Sequence, residues 1–112
     1  MAAGNYDIVI DQGANFALEF AISEDGATVN LSSHSVTAQL RPTPSSNTLT
    51  ATFTCAITNA SEGKFTMKLG HAVTANIAAG KYYYDTEIHN SEIDTITRLV
   101  QGVARVTQNV TR

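Results

Sequence analysis

The sequence predicts an all-β protein, an antiparallel β-sandwich of seven or eight strands that is either immunoglobulin-like or related to the jelly roll. Apolar residues alternate with polar or small residues in several separate stretches, which is the period of a half-buried strand. Turn-forming residues separate these stretches at regular intervals. The 112 residues, 43% of them hydrophobic, are enough for one core, and we predict a single domain over residues 1–112.

Two strands open the chain, at residues 6–10 and 16–22, where every second residue is apolar. Gln and Gly at residues 12–13 predict the turn between them, and Glu-Asp-Gly at residues 24–26 predicts the next turn. Residues 28–31 fit a short third strand. The N-terminal quarter is therefore predicted to be strands joined by tight turns.

A further strand is predicted over residues 36–40, where Val, Ala and Leu alternate with polar residues. Pro42 and Pro44 follow it, and proline has no N–H to donate to a sheet. Residues 41–47 are therefore predicted to form a loop.

The clearest alternation of the sequence runs over residues 49–57, in which threonines and one alanine separate Leu, Ala, Phe, Cys and Ile. Residues 59–63 contain Asn and Gly and predict a turn into a strand at residues 65–69. These two strands are expected to form a hairpin.

One short helical turn is predicted around residues 71–78, the segment where apolar residues lie four apart among alanines. Alternation resumes over residues 82–88, and a polar turn at residues 90–94 leads to a last long strand at residues 96–106. Gly102 is expected to bend or bulge that strand. The C-terminal half thus also predicts strands, with one helical turn among them.

Charge and apolar runs exclude several classes of function. Seven basic and ten acidic residues are spread thinly and give a net charge of −3, so no basic cluster for nucleic acid is present. No apolar run approaches the roughly 20 residues of a membrane span, and no secretory signal is recognised at the N-terminus. Charged residues make up only 15%, and such a surface suits a subunit that packs among neighbours.

Residue types that carry chemistry are present but not in catalytic or metal-binding patterns. Cys55 is the only cysteine and shares an apolar face with Phe and Ile neighbours, which predicts a small buried residue rather than a nucleophile. His34, His71 and His89 lack metal-ligand spacing and are expected at the surface. We predict no catalytic residue, no cofactor and no metal site, and hence no enzyme.

Residues 72–85 combine the helical turn with Gly80 and three consecutive tyrosines. This segment looks like the E–F corner of immunoglobulin-like sandwiches, in which a tyrosine hydroxyl bonds back to the corner backbone. Gly80 and Tyr82 are the structural corner residues that this resemblance implies. Tyr84 would point inward, where antibody domains have their second cysteine. Tyr83 would lie on the opposite face.

A second resemblance covers nearly the whole chain. The stretches NYDIVIDQGANFALEF, AGKYYYDTEI and TRLVQGVARVTQNVTR resemble a family of small tailed-phage β-sandwich proteins. These proteins are similar to the N-terminal adaptor domain of siphophage upper baseplate proteins. The resemblance implies a non-enzymatic virion protein, assembled in the host cytoplasm, that forms a homo-oligomer or docks on other virion proteins. The resemblance does not decide whether the protein belongs to the tail, to the baseplate, to a fibre adaptor or to the decoration of the capsid.

The contact surface is predicted at chain ends and edge strands, because these present unpaired backbone groups. The predicted interface residues are Tyr6, Ile8, Ile10, Gln108, Val110 and Arg112. An alternative function is a carbohydrate-binding or host-adhesion module, in which an exposed Tyr83 contacts a host glycan. A small hydrolase is disfavoured, since the sequence has no nucleophile elbow, phosphate loop or metal cluster.

Overall fold

A computed structural model describes residues 4–24 and 26–111, and most of them lie in strands. In chain order these are β1 (Gly4–Asn5), β2 (Ile8–Asp11), β3 (Phe16–Ala21), β4 (Ser23–Glu24), β5 (Ala27–Thr28), β6 (His34–Arg41), β7 (Ala51–Thr52), β8 (Thr54–Asn59), β9 (Lys64–Leu69), β10 (Gly80–Asn90) and β11 (Thr95–Thr107). Helix α1 spans His71–Thr74, and a 3-10 turn spans Ala60–Glu62. The predicted all-β class is confirmed.

The strands form two main sheets. The front sheet has the order β1-β11-β10-β6-β7, and β2 also pairs with β11. The back sheet has the order β3-β9-β8, and β4 and β5 form a small hairpin. Most neighbours are antiparallel, but β1 and β2 run parallel to β11. The sequence predicts an antiparallel sandwich. The two short N-terminal strands depart from this prediction, because they run parallel to their neighbour.

The connectivity is immunoglobulin-like. Strands β3, β9 and β8 occupy the B, E and D positions of such a sandwich, while β6, β10 and β11 occupy C, F and G. Strand β7 continues the front sheet beyond β6, as strand C′ does in variable-type domains. This strand order decides between the two connectivities that alternation alone cannot distinguish.

The chain changes sheet at Phe53. The sequence predicts one strand over residues 49–57, but β7 pairs with β6 in the front sheet and β8 pairs with β9 in the back sheet. The Phe53 N–H still donates to the Ala38 carbonyl at 2.9 Å, and the Phe53 ring is buried between the sheets. The alternation continues through the crossing, because both segments face the same core.

The core lies between the two sheets. Leu40, Tyr84 and Val106 reach it from the front sheet, and Phe65 and Met67 reach it from the back sheet. Full burial of one such apolar side chain stabilises the fold by roughly 1.5–3 kcal/mol.

Helical structure occurs at two places in the described residues. Helix α1 lies within the predicted segment 71–78, but the 3-10 turn at Ala60–Glu62 lies where only a turn was predicted. Gly63 ends this 3-10 turn with φ of 69°, a left-handed conformation that favours glycine. A Cβ atom there would come within 2.6 Å of the Ile22 carbonyl oxygen, so the site also excludes a side chain.

The irregularity in the last strand lies at Leu99 rather than at Gly102. Thr86 pairs with Val100 and Glu87 pairs with Arg98, which leaves Leu99 as the extra residue of a bulge. This corrects the sequence prediction for the position of the bend.

Candidate functional site

The first candidate site is the outer edge of β3 in the back sheet. β3 pairs with β9 on one side, and no described strand pairs with its other side. The Ile22 N–H donates to the Gly63 carbonyl at 2.9 Å, so the even-numbered residues of this segment direct their backbone groups towards β9. The N–H and C=O groups of Ala17, Glu19 and Ala21 therefore point outward, without backbone partners among the described residues.

An apolar groove runs beside this edge, between β3 of the back sheet and β1 of the front sheet. Its volume is about 400 Å³, and it is lined by Gly4, Asn5, Tyr6, Leu18, Glu19, Phe20, Ala21 and Val100. The Tyr6 and Phe20 rings meet edge to face with centroids 5.6 Å apart. Tyr6 is 46% exposed, and Leu18 and Phe20 are only partly buried. The groove thus exposes part of the apolar interior between the sheets.

Of the predicted interface residues in the N-terminal strand, only Tyr6 lies at this groove. Ile8 and Ile10 are 5% and 0% exposed and belong to the core, because alternation in β2 directs them inward. Their side chains therefore face the core, and the predicted contact at these two residues could use only the backbone of β2, which pairs with β11 on one side among the described strands. Val9 and Asp11 are the outward residues of β2, and Val9 is 59% exposed.

The predicted C-terminal contact segment follows the end of β11. Gln108 is exposed, and Val110 is 89% exposed. The Asn109 N–H donates to the Gln12 side-chain oxygen at 3.1 Å, which ties this segment to the turn before β3. Arg112 lies outside the described residues.

The predicted corner residues lie at the start of β10. The Tyr82 hydroxyl donates to the Ala78 carbonyl at 2.6 Å, which is the hydrogen bond that the corner interpretation requires. Gly80 is the first residue of β10. The Gln12 side-chain amide donates to the Ile77 carbonyl at 2.8 Å and joins the corner to the β2–β3 turn. The corner thus fixes the entry into the central strand of the front sheet.

The second candidate site is a concave groove of about 660 Å³ on the outer face of the front sheet. Strand pairing arranges its side chains in rows. Arg41, Tyr83 and Val103 form one row, and Gln39, Asp85 and Gln101 form the next. Thr37, Glu87 and Arg98 form a third row, with Asp7 and Pro44 at the sides.

Contacts among these side chains hold the face of the groove in place. Arg98 Nε lies 3.3 Å from Asp85 Oδ2, and Arg98 Nη1 donates to Gln101 Oε1 at 3.1 Å. Lys81 Nζ lies 5.4 Å from the centre of the Tyr83 ring, within cation–π range. The groove therefore presents one aromatic ring among carboxylates, amides and guanidinium groups.

Two of the reactive side chains, Cys55 and His89, lie in different sheets. Cys55 is half-buried, and burial raises the pKa of its thiol from 9.0 to about 11. His89 Nε2 lies 2.9 Å from Asp94 Oδ1 in an exposed pair at the surface. Among the side chains that the structure describes, no three His, Cys, Asp or Glu residues are grouped so that they could hold a metal ion.

In the part of the chain that the structure describes, no helix is both long enough and apolar enough to span a bilayer. No protein-family model matches the sequence, and a comparison with curated proteins finds no match.

Proposed function

We propose that the protein is a structural component of a tailed-phage particle that acts through protein–protein contacts and not as an enzyme. Its partners would be further copies of itself and other virion proteins, and it would assemble in the host cytoplasm. The open edge of β3 beside the apolar groove is the observation that carries this proposal. The whole-chain resemblance to tailed-phage β-sandwich proteins gives it its context.

The β3 edge offers backbone hydrogen bonds to an incoming strand. Ala17, Glu19 and Ala21 present outward N–H and C=O groups, and an extended segment of a partner can pair with them. Soluble proteins commonly protect such edges with proline, lysine or a bulge. β3 has none of these and carries a single charge, on Glu19.

The groove offers side-chain contacts to the same incoming strand. Every second residue of a strand paired with β3 would point towards Leu18, Phe20 and Val100. In an immunoglobulin-like sandwich this position beside strand B is that of strand A. Here the described N-terminal segment pairs with β11 instead. An apolar, alternating strand from a partner therefore fits both the edge and the groove.

The proposal is tested by light scattering of the purified protein over a concentration series. We expect the wild type to form an oligomer and Glu19→Pro to weaken it, because proline removes an outward N–H but no bond to β9. Glu19→Gln is the matched control, since it removes the charge and keeps the N–H. Circular dichroism would establish that both variants fold.

Two outcomes would contradict the proposal. A wild type that is monomeric at every concentration would refute self-association. Absence of the protein from purified phage particles, measured by mass spectrometry, would refute a place in the virion.

A further inference from the structure

The groove on the outer face of the front sheet is separate from the β3 edge and is not used by the proposed assembly contact. Its central column is Tyr83, Asp85 and Glu87 on β10. Strand β6 flanks the column on one side and β11 on the other. Because β10 pairs on both sides, its backbone groups are used within the sheet. A ligand here must be recognised by side chains and not by strand addition.

The charges of the groove favour a neutral ligand. Asp85 and Glu87 stand in the centre, which opposes a phosphate or another anion. Arg41 and Arg98 lie on either side of them, and Asp7 lies at the side of the groove, so three carboxylates and two guanidinium groups line it and a charged ligand of either sign meets like charge. Arg98 Nε lies 3.3 Å from Asp85 Oδ2, so these two opposite charges already neutralise each other in large part before a ligand binds.

The hydrogen-bonding groups suit a molecule that carries many hydroxyls. Carboxylates accept hydrogen bonds, guanidinium groups donate them, and the amides of Gln39 and Gln101 do both. A hydroxyl also donates and accepts, so adjacent hydroxyls can match such a mixed set. Tyr83 adds an aromatic ring, whose electron-rich face attracts the C–H groups on the apolar side of a sugar ring.

We infer that this groove binds a neutral carbohydrate chain, with Tyr83 packed against one sugar ring and Asp85 and Gln101 bonded to its hydroxyls. A volume of about 660 Å³ lies within the range of small-molecule sites. This binding would give the protein a contact with a glycan in addition to its assembly contacts. It does not depend on the proposed virion role.

The test begins with the wild-type protein on an array of neutral and acidic oligosaccharides. The neutral oligosaccharide that binds best is then titrated calorimetrically into the wild type, Tyr83→Ala and Asp85→Asn. We expect each substitution to lower the affinity about fivefold or more, the effect of losing one aromatic contact or one charge-assisted hydrogen bond. Thr58→Ala, on the outer face of the back sheet, is the control and should bind as the wild type does.

Three results would overturn the inference. These are no binding of any neutral oligosaccharide, binding of acidic oligosaccharides alone, and undiminished binding by both groove variants. If Tyr83→Ala does not fold, Asp85→Asn and NMR shifts of the wild-type amides at residues 83, 85 and 101 on titration decide the question. Glu19→Pro should keep glycan binding, which separates this inference from the assembly proposal.

Discussion

The Tyr84 hydroxyl donates a hydrogen bond to the carbonyl oxygen of Tyr6, 78 residues earlier in the chain. Tyr84 lies on the central strand of the front sheet and is 4% exposed. Tyr6 lies in the break between β1 and β2, where the N-terminal segment passes along the edge of the same sheet. This bond therefore attaches the N-terminal wall of the apolar groove to the centre of the fold.

Removing this hydroxyl should destabilise the protein. Tyr84→Phe keeps the ring in the core but leaves the Tyr6 carbonyl without this donor, which costs about 1–3 kcal/mol of unfolding free energy. Urea denaturation would measure the change. Tyr83→Phe is the matched control, because its ring lies on the outer face and its hydroxyl has no partner among the described residues. Equal stabilities of the two variants would show that the Tyr84 bond contributes nothing.

The stability of the protein should fall at high pH. Burial raises the pKa of Tyr84 above its ordinary value of 10.0, and the charge of Asp7 raises it further. The folded state thus keeps a proton that the unfolded state loses, so unfolding free energy decreases once pH rises above about 10. Urea titrations at pH 8 and 11 would measure this loss. Tyr84→Phe should lose less stability over that interval than the wild type, and an equal loss would contradict the assignment.

The corner bond of Tyr82 should make a smaller contribution. Its hydroxyl donates to the Ala78 carbonyl in a more exposed position, so Tyr82→Phe should cost about 1 kcal/mol. Thermal unfolding of the variant beside Tyr83→Phe would measure it. If Tyr82→Phe and the control melted at the same temperature, the hydrogen bond from Tyr82 to Ala78 would contribute nothing measurable to stability.

Local features of the fold could be predicted from the sequence, whereas pairing between distant strands could not. Alternation in β3 and β10 is a local property, and the position of Tyr82 after a helical turn and Gly80 is a local motif. The sequence does not reveal that the chain changes sheet at Phe53. Alternation continues without interruption from β7 into β8, although the two strands belong to different sheets. The parallel pairing of β2 with β11 depends on residues almost a whole chain apart.

The candidate sites, too, could be predicted from the sequence only in their local features. Alternation placed Tyr83 on the outer face, but nothing in the sequence places Arg41 and Val103 beside it, since these lie on separate strands. Alternation with Asp7 and Asp11 already indicates that the Ile8 and Ile10 side chains point inward, so a contact predicted at these residues depends on the backbone of β2. The open edge of β3 could be identified only from the strand order.

Gly102 should not tolerate a side chain. The backbone of Tyr6 passes so close to it that a Cβ atom would lie 2.8 Å from the Tyr6 carbonyl carbon and closer still to its oxygen. Gly102→Ala should therefore push the N-terminal segment away and cost about 1–3 kcal/mol, measured by urea denaturation. Gly70→Ala is the control, because a Cβ atom there meets nothing within 4 Å. If the two variants were equally stable, the N-terminal segment would move aside for the new Cβ atom without a loss of unfolding free energy.

Cys55 should react slowly with thiol reagents while the protein is folded. Thiolate is the reactive form, and burial raises the thiol pKa from 9.0 to about 11, so at pH 8 the folded protein holds roughly 10- to 100-fold less thiolate than the unfolded chain. Labelling with a chromogenic disulfide at pH 8, with and without urea, would measure the two rates. Since Cys55 is the only cysteine, Cys55→Ser gives the background rate. Equally fast labelling of the folded protein would show that the back sheet opens around Cys55 on the time scale of the reaction.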